Sequence, residues 1–294
     1  VDLATFENTI LEFAMDEPEE ITAWLTGDPL HVHVATGGVI RSYAYSDLAA
    51  GVLEPLAEVA VDLESHGGVT DAARDHILYV AGPGTGFEVL DVSSGAAQYV
   101  QQIPWDLDDL TGGRNARPRV TADGAHVFGV MTPGLDDATL WAETTVSNHI
   151  TNLETLEARR LPIATGTIGY RWGLTDRYAL WAGYDGKAAH AYLLDADASS
   201  PTFGEVAHTV PVARPTHAAA AGEDHEGAEF YMMTTISPDS AYGFVTISGD
   251  SRIQVIDLSS LEIVAEIETP TAMAGGGYTT VLQPGITPVD LWAR

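Results

Sequence analysis

Apolar and polar positions alternate most clearly between Ser237 and Glu268, which read SPDSAYGFVTISGDSRIQVIDLSSLEIVAEIE. A Pro-Asp turn precedes an apolar run from Tyr242 to Ile247. A Gly-Asp turn then leads to an alternating run from Arg252 to Asp257, and a Ser-Ser-Leu-Glu turn to another from Ile263 to Glu268. Period-two alternation bounded by turn residues marks strands joined by hairpins. Phe230 to Ile236 adds one more apolar run ahead of them. The pattern therefore predicts a four-stranded antiparallel meander.

The rest of the chain repeats this unit. A third strand that closes on Asp or Asn recurs at Ile40 to Asp47, Phe87 to Asp91, Val146 to Asn152 and Ala191 to Asp195, and Asp2 to Glu7 lines up with Asp257 to Glu262. The anchors Asp2, Asp47, Asp91, Asn152, Asp195 and Asp257 follow one another at intervals of 45, 44, 61, 43 and 62 residues. Turns between first and second strands fall at Asp28-Pro29, near Asp75, and at Asp123-Gly124, Asp176 and Pro238-Asp239. Such turns need positive φ, a preset φ, or a side chain that bonds its own backbone.

These repeats predict an all-β chain that folds over residues 1–294 as a single β-propeller domain of four-stranded antiparallel blades. Six blades fit the spacing best, with seven as the alternative. The sixth would be split, with Tyr278 to Leu282 and Thr287 to Trp292 as its first two strands and the N-terminus, including Thr9 to Phe13, as its last two. Pairing of the N- and C-terminal strands would close the ring and remove free sheet edges. The split blade is short by this count, so further chain upstream of Val1 is expected. Three connections exceed the usual length, at Trp105 to Arg117, Thr132 to Glu143 and Arg214 to Gly227. In an up-and-down meander all three emerge on one face, and long loops on a rigid scaffold are where function concentrates.

Pro238-Asp239 followed by Tyr242-Gly243-Phe244-Val245, and then Ile253-Gln254-Val255-Ile256-Asp257, resembles the YVTN-type propeller repeat of bacterial and archaeal surface and extracytoplasmic proteins. Thr121 to Phe128 (TADGAHVF) is a weaker echo. The chain departs from the repeat in its six-blade spacing and in lacking an Asn after the second strand. The resemblance implies an extracytoplasmic protein, whether secreted, periplasmic or surface-attached. It implies no single activity, because such propellers bind, scaffold or catalyse.

Charge narrows the partners. There are 42 acidic and 13 basic residues, with Lys187 the sole lysine and a formal net charge of −29. Such a surface repels nucleic acid and anionic membranes and attracts cations or basic partners. No apolar run is long enough to span a membrane, and the absence of cysteine excludes disulfides and thiolate metal sites. Gly-Xaa-Ser-Xaa-Gly, P-loop, His-Glu-Xaa-Xaa-His and dinucleotide fingerprints are absent.

Candidate ligand-binding residues are Arg117, Arg119, Tyr170, Arg171 and Trp172, expected near the entries of channel-lining first strands. A guanidinium buried there needs a carboxylate, as in an internal Arg-Asp pair, or an anionic or sugar-like ligand. Trp105 and Trp141 accompany Asp106, Asp108, Asp109, Asp136 and Asp137, a combination suited to Ca²⁺ or carbohydrate. His66, His217, Asp224 and His225, with Glu223 and Glu226 nearby, are candidate ligands for a divalent metal such as zinc, although a solvated acidic loop accounts for the same composition. His31 and His33 share one face of a strand and are expected to pack between blades. The reading that follows is a binding propeller that holds a small molecule, metal or protein at its decorated face and channel mouth. The alternative is a metal-dependent enzyme of the lactonase or hydrolase type.

Overall fold

The computed structural model describes residues 22–36, 38–61, 68–71, 76–80, 86–104, 114–132, 142–216, 232–247, 249–273 and 281. They form five four-stranded sheets. The first contains β1 (Thr22–Thr26), β2 (His31–Thr36), β3 (Val39–Ala44) and β4 (Ala57–Ala60), with α1 (Tyr45–Ala49) between the last two. The second contains β5 (Gly68–Asp71), β6 (His76–Val80), β7 (Gly86–Asp91) and β8 (Gln98–Pro104). The third is β9 (Arg114–Val120), β10 (His126–Thr132), β11 (Thr145–Asn152) and β12 (Ala158–Thr165). The fourth is β13 (Gly173–Leu174), β14 (Tyr178–Tyr184), β15 (Ala189–Asp195) and β16 (Val206–Val212), and the fifth β17 (Met233–Ile236), β18 (Tyr242–Ile247), β19 (Arg252–Asp257) and β20 (Glu262–Glu268). Strands are neighbours in chain order in every sheet, and all pairs are antiparallel. The meander expected at Ser237 to Glu268 is present, with β18 and β19 at the expected bounds. The strands assigned to a split sixth blade lie outside the described residues.

The chain divides into two compact units, one holding the first two sheets and the other the remaining three. In the first unit Trp24, Ile40, Leu90, Val92 and Ala97 form the core. The second has two clusters. One gathers Leu180, Ala182, Leu193, Val245 and Ile256, and the other Phe128, Ile150, Trp172, Trp181 and Phe203. Every residue of β14 is buried, so it reads as a continuous apolar run, whereas β20 is exposed throughout.

The repeated anchors act through their side chains. Asp91 Oδ1 accepts the N–H of Ser93 at 2.8 Å, Asp195 that of Asp197 at 3.0 Å, and Asp257 those of Ser259 and Ser260 at 2.8 and 3.1 Å. Asn152 does the same with its amide oxygen, accepting from Glu154 and Thr155. These are Asx turns, which give a hairpin loop the hydrogen bonds that the ladder no longer supplies. The first-to-second-strand turns use the device too: Asp123 accepts from Ala125 N–H and Asp239 from Ala241 N–H. Hydrogen bonds from the Ser259 hydroxyl first, and then from the Ser260 and Ser259 N–H groups, hold the Asp257 carboxyl below its ordinary range. At Asp123 burial pushes the other way, but the Thr121 hydroxyl, the Ala125 N–H and His126 outweigh it and the carboxyl is again lowered.

One anchor is corrected. The strand expected at Ile40 to Asp47 ends at Ala44, and Asp47 lies in α1. Tyr45 to Ala49 has no β-branched residue to resist a helical turn, Leu48 buries its side chain, and the N–H groups of Ala50 and Val52 return to the Asp47 carbonyl. A helical turn thus replaces the Asx turn at this corner.

His33 locks the first unit. Its side chain is fully buried; Nε2 lies 2.7 Å from Thr26 Oγ1 and Nδ1 2.9 Å from Ser42 Oγ, which also accepts the Ala97 N–H at 2.9 Å. The imidazole therefore ties β1, β2 and β3 to the turn after β7, as expected for a packing residue. Burial, and secondarily the neighbouring His31, pushes its pKa down to about 4. Unfolded His33 would titrate near its ordinary 6.5. Between those two values the unfolded chain binds a proton that the folded chain refuses, so stability falls as pH is lowered through this window. Urea melts at pH 7 and pH 4.5 are expected to differ by roughly 2–3 kcal/mol from this residue. His33→Gln should flatten that pH dependence; an unchanged slope would refute the assignment.

Candidate functional site

Strands β9, β13 and β17 each form the first-strand edge of their sheets, and in the second unit these edges are cross-linked. Arg119 Nε donates to the Trp172 carbonyl at 3.1 Å, Tyr170 N–H donates to the Met232 carbonyl at 3.2 Å, and Thr234 N–H donates to the Arg171 carbonyl at 3.1 Å. Arg171 and Met233 form a parallel bridge. The segment ahead of β13 can reach out in this way because it is bulged. Ile168 pairs with Tyr184 and Gly173 with Leu180, so the five steps on this side oppose four on β14. A bulge frees peptide groups from their own ladder and re-aims side chains. Here the freed groups bond to the adjoining sheet.

Two glycines let this segment pack closely on both sides, Gly169 against β14 of its own sheet and Gly173 against β17 of the next. A Cβ at Gly169 would lie 1.9 Å from the Ala182 carbonyl oxygen and 2.6 Å from the Trp181 ring, and one at Gly173 would lie 2.8 Å from Thr235 Cα. Thr234 completes the seam: its single hydroxyl proton goes to the Leu180 carbonyl, with the Arg171 carbonyl a longer second contact at 3.3 Å. Thr234 was not singled out from sequence. The signal was a Thr-Thr pair inside an otherwise apolar strand, Met233–Ile236.

The seam carries four of the expected ligand-binding residues. Trp172 is fully buried, and the Arg119 guanidinium lies over its ring at 5.2 Å. Arg171 is 2% exposed; its guanidinium sits 4.0 Å from the centre of the half-buried Tyr170 ring, and Nη2 donates to the Tyr170 hydroxyl at 2.7 Å. Arg171 Nε and Nη1 have no hydrogen-bond partner. The placement of Arg119 at a strand entry is corrected: it is the last residue but one of β9 and pairs with Phe128, close to the Asp123-Gly124 turn. Its bond to the Trp172 carbonyl explains why it is held at that end. Arg117 lies in β9, with its side chain outside the described residues.

The remaining candidates are not brought to this seam by the described residues. Trp105, Trp141, His66, His217, Asp224 and His225 all lie outside them. Among the described residues, no group of three His, Asp or Glu side chains could hold a metal ion. The β10–β11 connection leaves its sheet at the end opposite the Asp123-Gly124 turn, as the strand order requires. No described helix is long and apolar enough to cross a membrane.

No protein-family model and no curated protein sequence matches the chain. Solved structures do match in fold. AztD from Citrobacter koseri superposes with a TM-score of 0.59 at 14% identity, over 95% of this chain and 68% of that one. NirN, a dihydro-heme d1 dehydrogenase solved in complex with DHE, gives 0.55 at 17% identity over 88% of this chain. The Dos1 propeller gives 0.54 at 8% identity over 82%. The chain spans 49% of the NirN chain and 56% of the Dos1 chain. With four-stranded antiparallel sheets and these neighbours, the fold is of the β-propeller type.

The close approach of Gly169 to β14 gives a test of the bulged segment's packing. Gly169→Ala is expected to destabilise the chain by about 3 kcal/mol, because its methyl group meets backbone that cannot move aside. Gly51→Ala, which meets nothing within 4 Å and has a φ of +79°, should cost only about 1 kcal/mol for the left-handed backbone. Chemical denaturation of the two variants would distinguish these costs, and equal losses would refute the tight contact.

Proposed function

We propose that the chain is an extracytoplasmic β-propeller of the YVTN type, a single domain of six blades closed by pairing of its terminal strands, that binds a ligand at the loop-decorated face and channel mouth. The observation that carries the ligand-binding part is the seam, where two buried guanidinium groups, Arg119 on β9 and Arg171 on the segment ahead of β13, stand beside Trp172 and Tyr170 respectively. Aromatic faces beside fixed cationic donors suit a small molecule, since rings supply contact area and guanidinium supplies direction. The fold likeness to NirN, solved with a bound small molecule, supports the same use of the scaffold. The long connections at 105–117, 132–143 and 214–227 would frame the entrance. Trp105 and Trp141 would then supply further aromatic contacts, and Arg117 a further cation.

The test is a binding screen monitored by tryptophan fluorescence and native mass spectrometry. A ligand that occupies the seam is expected to bind about tenfold more weakly to Tyr170→Phe, on the scale of one hydrogen bond to a charged group, with little change in Tm. Binding untouched by substitutions at Tyr170 and Arg119 would overturn the site. Elemental analysis with a hydrolase screen decides the enzyme alternative. Stoichiometric zinc or calcium, with turnover abolished by His217→Ala, would replace the binding reading with a metal-dependent hydrolase built on His66, His217, Asp224 and His225.

A further inference from the structure

Arg171 differs from the arginines whose ion pairs are resolved on the surface. Arg41 meets Glu58 at 2.8 Å, and Arg252 meets Asp250 at 2.9 Å with Glu266 at 3.9 Å; all are substantially more open to water than Arg171. The chain has 42 acidic residues for 13 basic ones, so carboxylates are abundant. Arg171 nevertheless lies 98% removed from solvent, with no carboxylate within ion-pair distance among the described residues. Among the described residues its hydrogen-bond acceptor is the Tyr170 hydroxyl. Two of its three nitrogens make no hydrogen bond.

That arrangement is electrostatically incomplete. An arginine does not escape by losing its proton, and a desolvated cation needs a matching charge and acceptors for its N–H groups. One ring face and one hydroxyl do not supply them. Its backbone is nevertheless fixed: the Arg171 carbonyl accepts the Thr234 N–H at 3.1 Å, and the residue bridges to Met233. The side chain is held in place by structure that does not neutralise it. This is the condition of a preformed anion site, in which the cost of ordering the donor is met before the ligand arrives.

We propose that the ligand's anionic group, a carboxylate or a phosphate, is bound by the Arg171 guanidinium at the seam between the fourth and fifth sheets. The inference rests on reading that seam as a ligand site and narrows the ligand to a small organic acid or phosphate compound. Tyr170 covers one face of the guanidinium and engages Nη2, so the anion approaches Nε or Nη1. Arg119 bonds the Trp172 carbonyl and lies over its ring.

The experiment measures Tm while inorganic phosphate, acetate and citrate are titrated separately, each against potassium chloride at equal ionic strength. Wild-type protein is expected to show a saturable rise of a few degrees with phosphate or with the carboxylates, beyond the chloride control. Whichever series gives the rise identifies the anion class. Arg171→Gln should abolish the anion-specific rise. Arg160→Gln, which removes an equal charge at an exposed position on β12, should leave it intact. Should Arg171→Gln not fold, phosphorus NMR of phosphate and carbon NMR of ¹³C-labelled acetate with wild-type protein provide the readout. Specific, chloride-insensitive broadening of either resonance supports the site. No anion-specific response in the wild type, or the same response in Arg171→Gln, overturns the proposal. If a neutral ligand from the fluorescence screen still binds at Tyr170 and Arg119 and is indifferent to Arg171→Gln, only the anion assignment falls. If the screen also finds nothing at the seam, the ligand-site reading falls with it.

Discussion

The hydrogen bond from a backbone N–H to the carboxylate or amide two or three residues before it is the constraint on which this fold depends. A meander of short strands must reverse direction every few residues, and each reversal leaves peptide groups without a ladder partner. At Asp91, Asn152, Asp195 and Asp257 one side chain meets that need and fixes where the third strand stops. The bond is local and marks where a strand ends, and the apolar alternation decides which face each strand buries. Where the side chain is used otherwise, as at Asp47, the corner becomes a helical turn.

Between sheets the order of control is reversed. The bulge ahead of β13 gives up regular pairing in its own sheet, and its peptide groups bond to β17 instead. This places Tyr170, Arg171 and Trp172 on backbone held from two sides. Successive side chains there have different surroundings: Arg171 stacks on Tyr170, while Trp172 packs into the apolar cluster with Phe128 and receives Arg119 over its ring.

Much of the strand order was legible in the sequence, because hairpin chemistry is local and leaves a residue at a fixed place. The turns at Asp123-Gly124, Asp176 and Pro238-Asp239 and the strand ends at Asp91, Asn152, Asp195 and Asp257 are where alternation and turn residues put them. The Ile40 to Asp47 strand misled because an Asp after alternating apolar positions suits a helix's first turn as well as an Asx turn, and the buried Leu48 decided between them. At the seam, sequence could name Arg119, Tyr170, Arg171 and Trp172 but not their partners. The bulge, the close approach at Gly169 and the Thr234 bonds join residues up to 63 positions apart. No local periodicity records such contacts.

Asn152 occupies the same station as Asp91, Asp195 and Asp257 and makes the same backbone bonds with an uncharged oxygen. The geometry of these corners therefore asks for an acceptor, not for a negative charge. The fold and the charge of this protein are in that respect independent variables: its anchors could drift between Asp and Asn with the backbone unchanged. The excess of carboxylates then becomes a property that the environment can tune, through salt, solubility and the company of other molecules, without redrawing a single strand.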